Sequence, residues 1–288
     1  MVPNGWKLTT LGQVCDSNLQ TGPFGSQLHA HEYVDTGIPV LMPKDLINFR
    51  ANLSNAAKIT ALRAKDLKKH ALKSGDLLFS RRGDVTRFAL IDEDSEGSIC
   101  GTGCLKARPS NKHSSSFLAY FLQKDSVKKW LEQNAVGQTM PNMNTEILNE
   151  LPLMSASSKE EEEKIAQILS TWDQAILATE KLLENSQQQK KALMQQLLTG
   201  KKRLLDETGL KFNIPWEKYR LGTLLKEGKQ RNKDNSLSRV LSVTNHSGFV
   251  LPENQFSKRI ASDEVSNYKV VIKGQFGYNP SRINVGSF

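Results

Sequence analysis

KEEEEKIAQILSTWDQAILATEKLLENSQQQKKALMQQLLTG, residues 159–200, is the stretch on which the fold turns. No Gly or Pro interrupts Lys159 to Thr199, and Gly200 is a plausible stop. The apolar residues Ile165, Leu169, Trp172, Ile176 and Leu183 fall at helical spacing. The stripe resumes at Leu193, Met194, Leu197 and Leu198 after a polar gap from Glu184 to Lys191. Ser157 and Ser158 offer an N-terminal cap. Glu160 to Glu163 place four carboxylates at the positive end of the helix dipole. Lys190, Lys191, Lys201, Lys202 and Arg203 crowd the negative end. About 40 residues at 1.5 Å each predict a helix of roughly 60 Å. So long an amphipathic helix wants a second helix along its length. The alternative is a long helix packed within its own domain.

Upstream, residues 1–155 are mixed. Ile38-Pro39-Val40-Leu41-Met42 and Asp76-Leu77-Leu78-Phe79-Ser80 read as short strands bounded by turn residues. Thr60 to Leu67 and Ser115 to Asn134 read as helical. The expected fold class is α+β: short strands and helices with many loops, then a long coiled-coil-like helix. Downstream, residues 212–288 resume the mixed pattern and partly repeat the first segment. Trp6-x4-Leu11-Gly12 recurs as Trp216-x4-Leu221-Gly222. Lys73-Ser74-Gly75-Asp76 is echoed more loosely by Ile272-Lys273-Gly274-Gln275. One module used twice, separated by a helix, is the expectation. The divisions fall at 1–155, 156–211 and 212–288. Past its glycine the second copy continues only from Gly274 to Phe288, where the first runs from Gly75 to Leu151-Pro152, so the second domain is expected to be incomplete.

The chain of 288 residues has a formal charge of +9, which favours anionic partners such as nucleic acid. Residues 1–157 carry 18 basic and 15 acidic side chains, residues 158–211 carry 9 and 9, and residues 212–288 carry 12 and 6. The excess therefore lies in the two flanking segments and not in the helix. No apolar run approaches the ~20 residues of a membrane span. The first ten residues show no signal peptide. Three cysteines, Cys15, Cys100 and Cys104, are too few for a disulfide framework. A cytoplasmic setting is expected.

The order of motifs resembles the specificity subunit of type I restriction-modification systems. Four features carry the resemblance in the first segment. They are the opening Trp6-x4-Leu11-Gly12, the loop Thr21-Gly22-Pro23-Phe24-Gly25-Ser26-Gln27-Leu28 with Tyr33 and Gly37-Ile38-Pro39 after it, Gly75 to Asp84, and Gly137-Gln138-Thr139-Met140-Pro141-Asn142-Met143-Asn144. The helix ending Leu197-Leu198-Thr199-Gly200-Lys201-Lys202-Arg203-Leu204 resembles the central conserved region of that family. Tyr278 to Gly286 resembles the Ser-Arg-Arg-Gly turn in a second domain. The resemblance implies two recognition domains on antiparallel helices. Each domain reads one half of a bipartite DNA sequence, and the helices set the gap. It implies a non-catalytic subunit, with methyltransferase subunits docked on it and the restriction subunit joined through the complex.

Base edges are read by Arg, Lys, Asn or Gln, and phosphates by cations, hydroxyls and backbone N–H groups. The candidate DNA-binding residues are Gly22, Phe24, Gly25, Ser26, Lys44, Arg81, Arg82, Gln138, Thr139, Asn142 and Arg282. Each has a plainer reading as a solvated side chain or turn former. No phosphate loop, paired carboxylates or nucleophile–base set is found. Cys100-x3-Cys104 with His113 falls short of a zinc set, and its glycines suggest a turn. No cofactor or metal is expected. Two other readings stand beside DNA recognition: a protein-interaction scaffold dimerised through its helix without DNA specificity, and a nuclease or methyltransferase whose motif escapes recognition. A helix without its intramolecular partner is also expected to allow two copies to pair antiparallel.

Overall fold

A computed structural model describes residues 2–25, 27–137, 141–245, 247–254, 262 and 264–285. The chain forms two compact units, Met1–Gln189 and Lys190–Phe288. The first unit is an α+β body. Its strands are β1 (Lys7–Thr10), β2 (Leu19–Thr21), β3 (Tyr33–Val34), β4 (Ile38–Leu41), β5 (Leu46–Ile47), β6 (Arg50–Ala51), β7 (Ala57–Ile59), β8 (Leu77–Ser80), β9 (Phe88–Leu90), β10 (Ile99–Cys100), β11 (Cys104–Ala107) and β12 (Pro152–Ser155). Its helices are α1 (Leu11–Val14), α2 (Ala61–Asp66), α3 (Ser115–Leu122), α4 (Asp125–Asn134), α5 (Thr145–Asn149) and most of α6 (Lys159–Leu198).

Six strands form one sheet in the order β2-β11-β8-β9-β6-β5, and four form a second in the order β10-β4-β7-β3. The central strands β8 and β11 are buried along their whole length. Alternate side chains of a strand point to opposite faces, so a strand covered on both faces reads as a continuous apolar run. Leu77 and Phe79 of β8, with Leu105 and Ala107 of β11, join the core under α3, where Phe117, Leu118 and Leu122 pack. Leu78 and Cys104 point the other way, toward Leu41, Leu72, Ile91 and Cys100.

Ser115 to Asn134, expected as one helical stretch, is two helices. Lys124 is extended (φ −62°, ψ 140°) and separates α3 from α4. The buried residues explain the break. Leu122 and Val127 are five apart, which a straight helix would set on different faces. The bend returns Val127 and Leu131 to the same core as Leu122.

His70 is buried, and neither ring nitrogen has a hydrogen-bond partner among the described residues. Burial, then the Lys69 cation, hold it below its ordinary value of 6.5. Below about pH 6.5 the unfolded chain takes up a proton that the folded chain refuses until its own lower pKa is reached. His70 therefore favours folding fully above that pH, and its contribution falls as pH drops toward the folded value. Urea denaturation at pH 7 and pH 5 should show His70→Leu losing less stability on acidification than the native chain. An equal loss in both would sink the assignment.

The start of α6 is riveted to the first unit. Ser158 Oγ accepts the Glu161 N–H at 3.3 Å. Two carboxylates expected to serve only the dipole do more. Glu161 accepts the Trp6 indole N–H at 3.1 Å. Hydrogen bonds from the Ser157 hydroxyl first, and then the Trp6 indole, hold its carboxyl below the usual range. Glu162 is buried, and accepts the Ser114 N–H at 2.8 Å while lying 3.1 Å from His113 Nδ1. It thus caps α3 from outside. Further along α6, the Tyr120 hydroxyl donates to Asp173 at 2.7 Å. Burial first, then the Asp173 carboxylate, push that phenol up to about 12.

Beyond this seat the apolar stripe faces outward. Ile165 is half-buried, but Leu169, Trp172, Ile176, Leu183 and Leu193 are exposed, Trp172 by 67%. Leu197 is half-buried. The alternative of a helix packed along its length within its own domain is therefore not what forms.

The second unit holds the hairpin β13 (Ser242–Thr244) and β14 (Gly248–Val250), and the short α7 (Leu221–Leu224). Its Gly274 turn repeats that of Gly75 in detail. Gly75 and Gly274 have φ of +88° and +91°, a region open mainly to glycine. The Asp76 N–H donates to the Lys73 carbonyl at 3.0 Å, and Gln275 to Ile272 at 3.1 Å. Each turn is then closed in reverse. Asp76 Oδ2 accepts the Lys73 N–H at 2.8 Å, and Gln275 Oε1 accepts the Ile272 N–H at 3.1 Å. The other repeated element differs. Residues 7–10 form β1 because β12 pairs with them, whereas residues 217–220 form no strand and Leu221 is exposed. Without a pairing strand the ladder bonds have no partner. Trp216 instead packs on Gly200 (φ +72°), 5.4 Å from the Arg203 guanidinium. Trp6 thus meets the start of α6, and Trp216 its end.

Candidate nucleic-acid interface

β2 and β8 both run antiparallel to β11. The ends of β2 and β8 and the start of β11 therefore lie on one edge of the sheet. Three connections leave from that edge: residues 22–27, 81–87 and 101–103.

Gly101-Thr102-Gly103 is their hub. The Gly22 N–H donates to the Cys104 carbonyl at 3.0 Å, Arg81 N–H to Gly103 at 2.8 Å, and Gly101 N–H to Leu41 at 2.9 Å. The packing is backbone on backbone. A Cβ on Gly22 would lie 1.8 Å from the Gly101 oxygen, and one on Gly101 would lie 2.5 Å from the Leu41 oxygen. A Cβ on Gly103 would meet Pro43 Cδ at 2.9 Å. Pro43 opens the turn that carries the exposed Lys44.

A fourth segment is tied on from residues 136–143. Asn142 bridges both Arg82 and Val136. The Gly83 N–H donates to the Pro141 carbonyl at 3.1 Å, and Met143 N–H to Arg81 at 2.8 Å. Met143 is buried and anchors this segment in the core. Asn144 then caps α5 through the Ile147 N–H at 2.8 Å.

The edge is cationic. Arg82 and Lys44 are exposed and Arg81 is half-buried. None of the three forms an ion pair among the described residues. Arg87 differs, because Asp84 accepts its Nε–H at 3.0 Å. The Thr86 hydroxyl first, and then Arg87, hold the Asp84 carboxyl below its usual value. Asp45 is buried, and burial raises its pKa. Arg81 Nε and Asn142 Oδ1 are buried without a hydrogen-bond partner among the described residues.

Phe24, Gly25, Lys44, Arg81, Arg82 and Asn142 are thus carried by segments joined through one hub. Gly22 needs a correction as a candidate phosphate ligand. It is buried and its N–H is already taken by Cys104, so its missing side chain serves close packing. Gly25 stands in open space. Ser26, Gln138 and Thr139 lie outside the described residues. Arg282 belongs to the second unit, in the turn Pro280–Val285. Gly101 and Gly103 were missed as organisers. Their signal was the Cys100-Gly-Thr-Gly-Cys104 spacing, legible as a turn but not as a hub for distant loops. Among the described residues no His, Cys, Asp and Glu cluster could hold a metal, and no helix is long and apolar enough to cross a membrane.

Comparison with known proteins agrees with this architecture. The chain is 25% identical over 206 residues to the putative type I restriction enzyme MjaX specificity subunit of Methanocaldococcus jannaschii, covering 69% of this chain and 46% of that protein. A solved chain from a study of complex assembly and conformational transition of the type I R-M system has the same fold at a TM-score of 0.51 and 19% identity, covering 68% of this chain and 45% of that one. The HsdS subunit from Thermoanaerobacter tengcongensis aligns with a TM-score of 0.48 and 19% identity, over 67% of this chain and 48% of that one. The chain spans about half the length of the relatives it matches. A family model for the type I restriction modification DNA specificity domain matches residues 3–186. With well over half of its length matched, and an α+β body followed by a long helix, the chain belongs to the type I restriction-modification DNA specificity domain family.

Proposed function

We propose that the chain is a sequence-specific DNA-binding subunit of a type I restriction-modification complex. Its first domain, residues 1–155, reads one half of a bipartite target. The observation that carries this is the convergence of Lys44, Arg81 and Arg82 on loops fastened to the Gly101–Gly103 hub. Cations spaced on one rigid edge match a phosphate backbone. Arg81 and Asn142 supply a donor and an acceptor for base edges. Ser26, Gln138 and Thr139 belong to the same loops by sequence and take part beside them. Arg282 would serve the corresponding turn in the second domain, residues 212–288. The spacer, residues 156–211, holds a helix of roughly 60 Å, between one and two turns of B-DNA.

In this reading the subunit is not a catalyst. Methyltransferase subunits dock on the spacer helix and the recognition domain, and the restriction subunit joins through the complex. The outward stripe from Leu169 to Leu183 supports a helix built to be covered by protein. The same stripe favours a second mode, antiparallel pairing of two copies. Sedimentation that finds only monomer at every concentration would remove that mode. The proposed setting is cytoplasmic.

Salt titration tests the DNA reading. Arg81→Ala/Arg82→Ala should weaken binding and flatten the slope of log affinity against log salt by about 1, for the phosphate that Arg82 leaves without its cation, while the loss of Arg81 relaxes base preference. Arg87→Ala should change the slope less, since Asp84 already neutralises Arg87. No DNA binding with methyltransferase present, or a double variant with the native slope, would sink the reading.

A further inference from the structure

The candidate DNA-facing edge carries one group that charge does not account for. Phe24 is 57% exposed, and it is the only exposed Phe, Tyr or Trp among the described residues up to Ser158. A single exposed hydrophobe is ordinary on a protein surface. The construction beneath this one is not. Gly22 packs its backbone on Gly101, and Pro23 is buried. The Phe24 N–H donates to Gln27 Oε1 at 3.1 Å, and the Gln27 N–H returns to the Phe24 carbonyl at 2.7 Å. Arg63 holds the Gln27 carbonyl, and Leu28 closes the loop in the core. The backbone that presents the exposed ring is thus fixed on both sides.

The backbone that carries the ring is already ordered by the fold, so a partner that takes the ring has only its two side-chain torsions left to fix. The surroundings name the partner's charge. Gly22, two residues away, shares the Gly101–Cys104 turn with Arg81, and Lys44 rises from the Pro43 turn against Gly103. Gly25 follows the ring in the chain, and a Cβ there would meet nothing within 4 Å beyond its chain neighbours, so the loop is uncovered on that side. A duplex offers an aromatic ring two apolar surfaces: a thymine methyl in the major groove, or the face of a base at an opened step. A methyl contact needs only apolar atoms somewhere in the groove. A ring projecting from an ordered backbone suits insertion.

We propose that Phe24 is a wedge that stacks on a base at one partly unstacked step within the half-site. The inference rests on the DNA reading above and assigns Phe24 a role that salt dependence would not detect.

The test uses the full chain alone, so that no methyltransferase unstacks a base. Duplexes recovered from a randomised pool by binding to the chain are remade with 2-aminopurine at each position in turn. The native chain should raise the fluorescence at one step. Phe24→Ala should abolish that rise and weaken binding about tenfold, within the range of removing one base stack. Its salt slope should stay native because no charge is removed. Phe24→Leu, still a wedge, should keep part of the rise. A native complex with no rise at any position overturns the wedge and leaves the DNA reading standing, as does a rise that survives in Phe24→Ala. A loss on replacing thymine by uracil equal to that of Phe24→Ala, without any rise, assigns the ring to a methyl contact and also overturns it. If the chain alone binds no duplex the wedge falls, and binding with methyltransferase present decides the DNA reading.

Discussion

Asp76→Ala is expected to lower the stability of the first unit by about 3–5 kcal/mol, the usual cost of breaking a buried ion pair by removing one partner. The Asp76 side chain is 1% exposed. Its two oxygens accept Arg108 Nε at 2.6 Å and a terminal guanidinium nitrogen at 2.7 Å. Parallel bonds of this kind are among the strongest that side chains form. Oδ2 also closes the Lys73 turn. The pair clamps the entry to β8 against the exit of β11, the two strands whose opposite ends frame the candidate DNA edge. The Asp76 hydrogen bond, ahead of its charge, raises the Arg108 pKa. Arg108 is 30% exposed and can recover some water, which places the loss toward the lower end of the range. Asp76→Asn keeps an acceptor for the Lys73 turn and should fall between native and alanine. Urea denaturation followed through the first unit measures both. A loss below about 1 kcal/mol for Asp76→Ala would show that the pair is offset by its desolvation.

Gly22→Ala should be nearly as disruptive, by a different route. Its Cβ would sit 1.8 Å from the Gly101 oxygen and 2.6 Å from the Gly101 carbon. Those atoms are backbone, held by the Leu41 and Cys104 hydrogen bonds, so no side chain can swing aside. Either β2 parts from β11 or the loop tilts. Overpacking of this kind costs about 1–3 kcal/mol, and a backbone collision belongs at the upper end. The loop carrying Phe24 would shift relative to Arg81, so DNA affinity should fall with stability. Gly25→Ala, on the exposed side of the same loop, meets nothing within 4 Å and should leave stability close to native. Denaturation of the two variants side by side decides the matter, and DNA titration of Gly22→Ala follows the loop. Equal behaviour would mean that Gly101–Gly103 is not the hub on which the edge is built.

Gly75 and Gly274 mark how far the internal repeat could be read. Their shared turn rests on a positive φ and a side chain three residues after the first carbonyl, so it is written in four consecutive residues. The Trp6 and Trp216 repeats match equally well in sequence, yet one precedes a strand and the other does not. A strand needs hydrogen bonds from elsewhere in the chain, and β12 lies far from β1 in sequence. The single helix expected over Ser115–Asn134 failed for a related reason. Apolar spacing favours a helix locally, while the core under β8 decides which way each turn must face.

By itself the sequence determined what local interactions govern: the long helix from Lys159, its cap, its unsatisfied stripe, the short strands at Ile38–Met42 and Asp76–Ser80, and the cations of the Ser80-Arg81-Arg82-Gly83 turn. The tertiary structure decided which of these meet. It turned Glu162 from a dipole partner into a cap for another helix, made Gly22 a packing residue, and gathered Phe24, Lys44, Arg82 and Asn142 around a three-residue turn between two cysteines. Those pairings join residues tens of positions apart. Their geometry follows from strand order and backbone contact, which no periodicity in a single chain encodes.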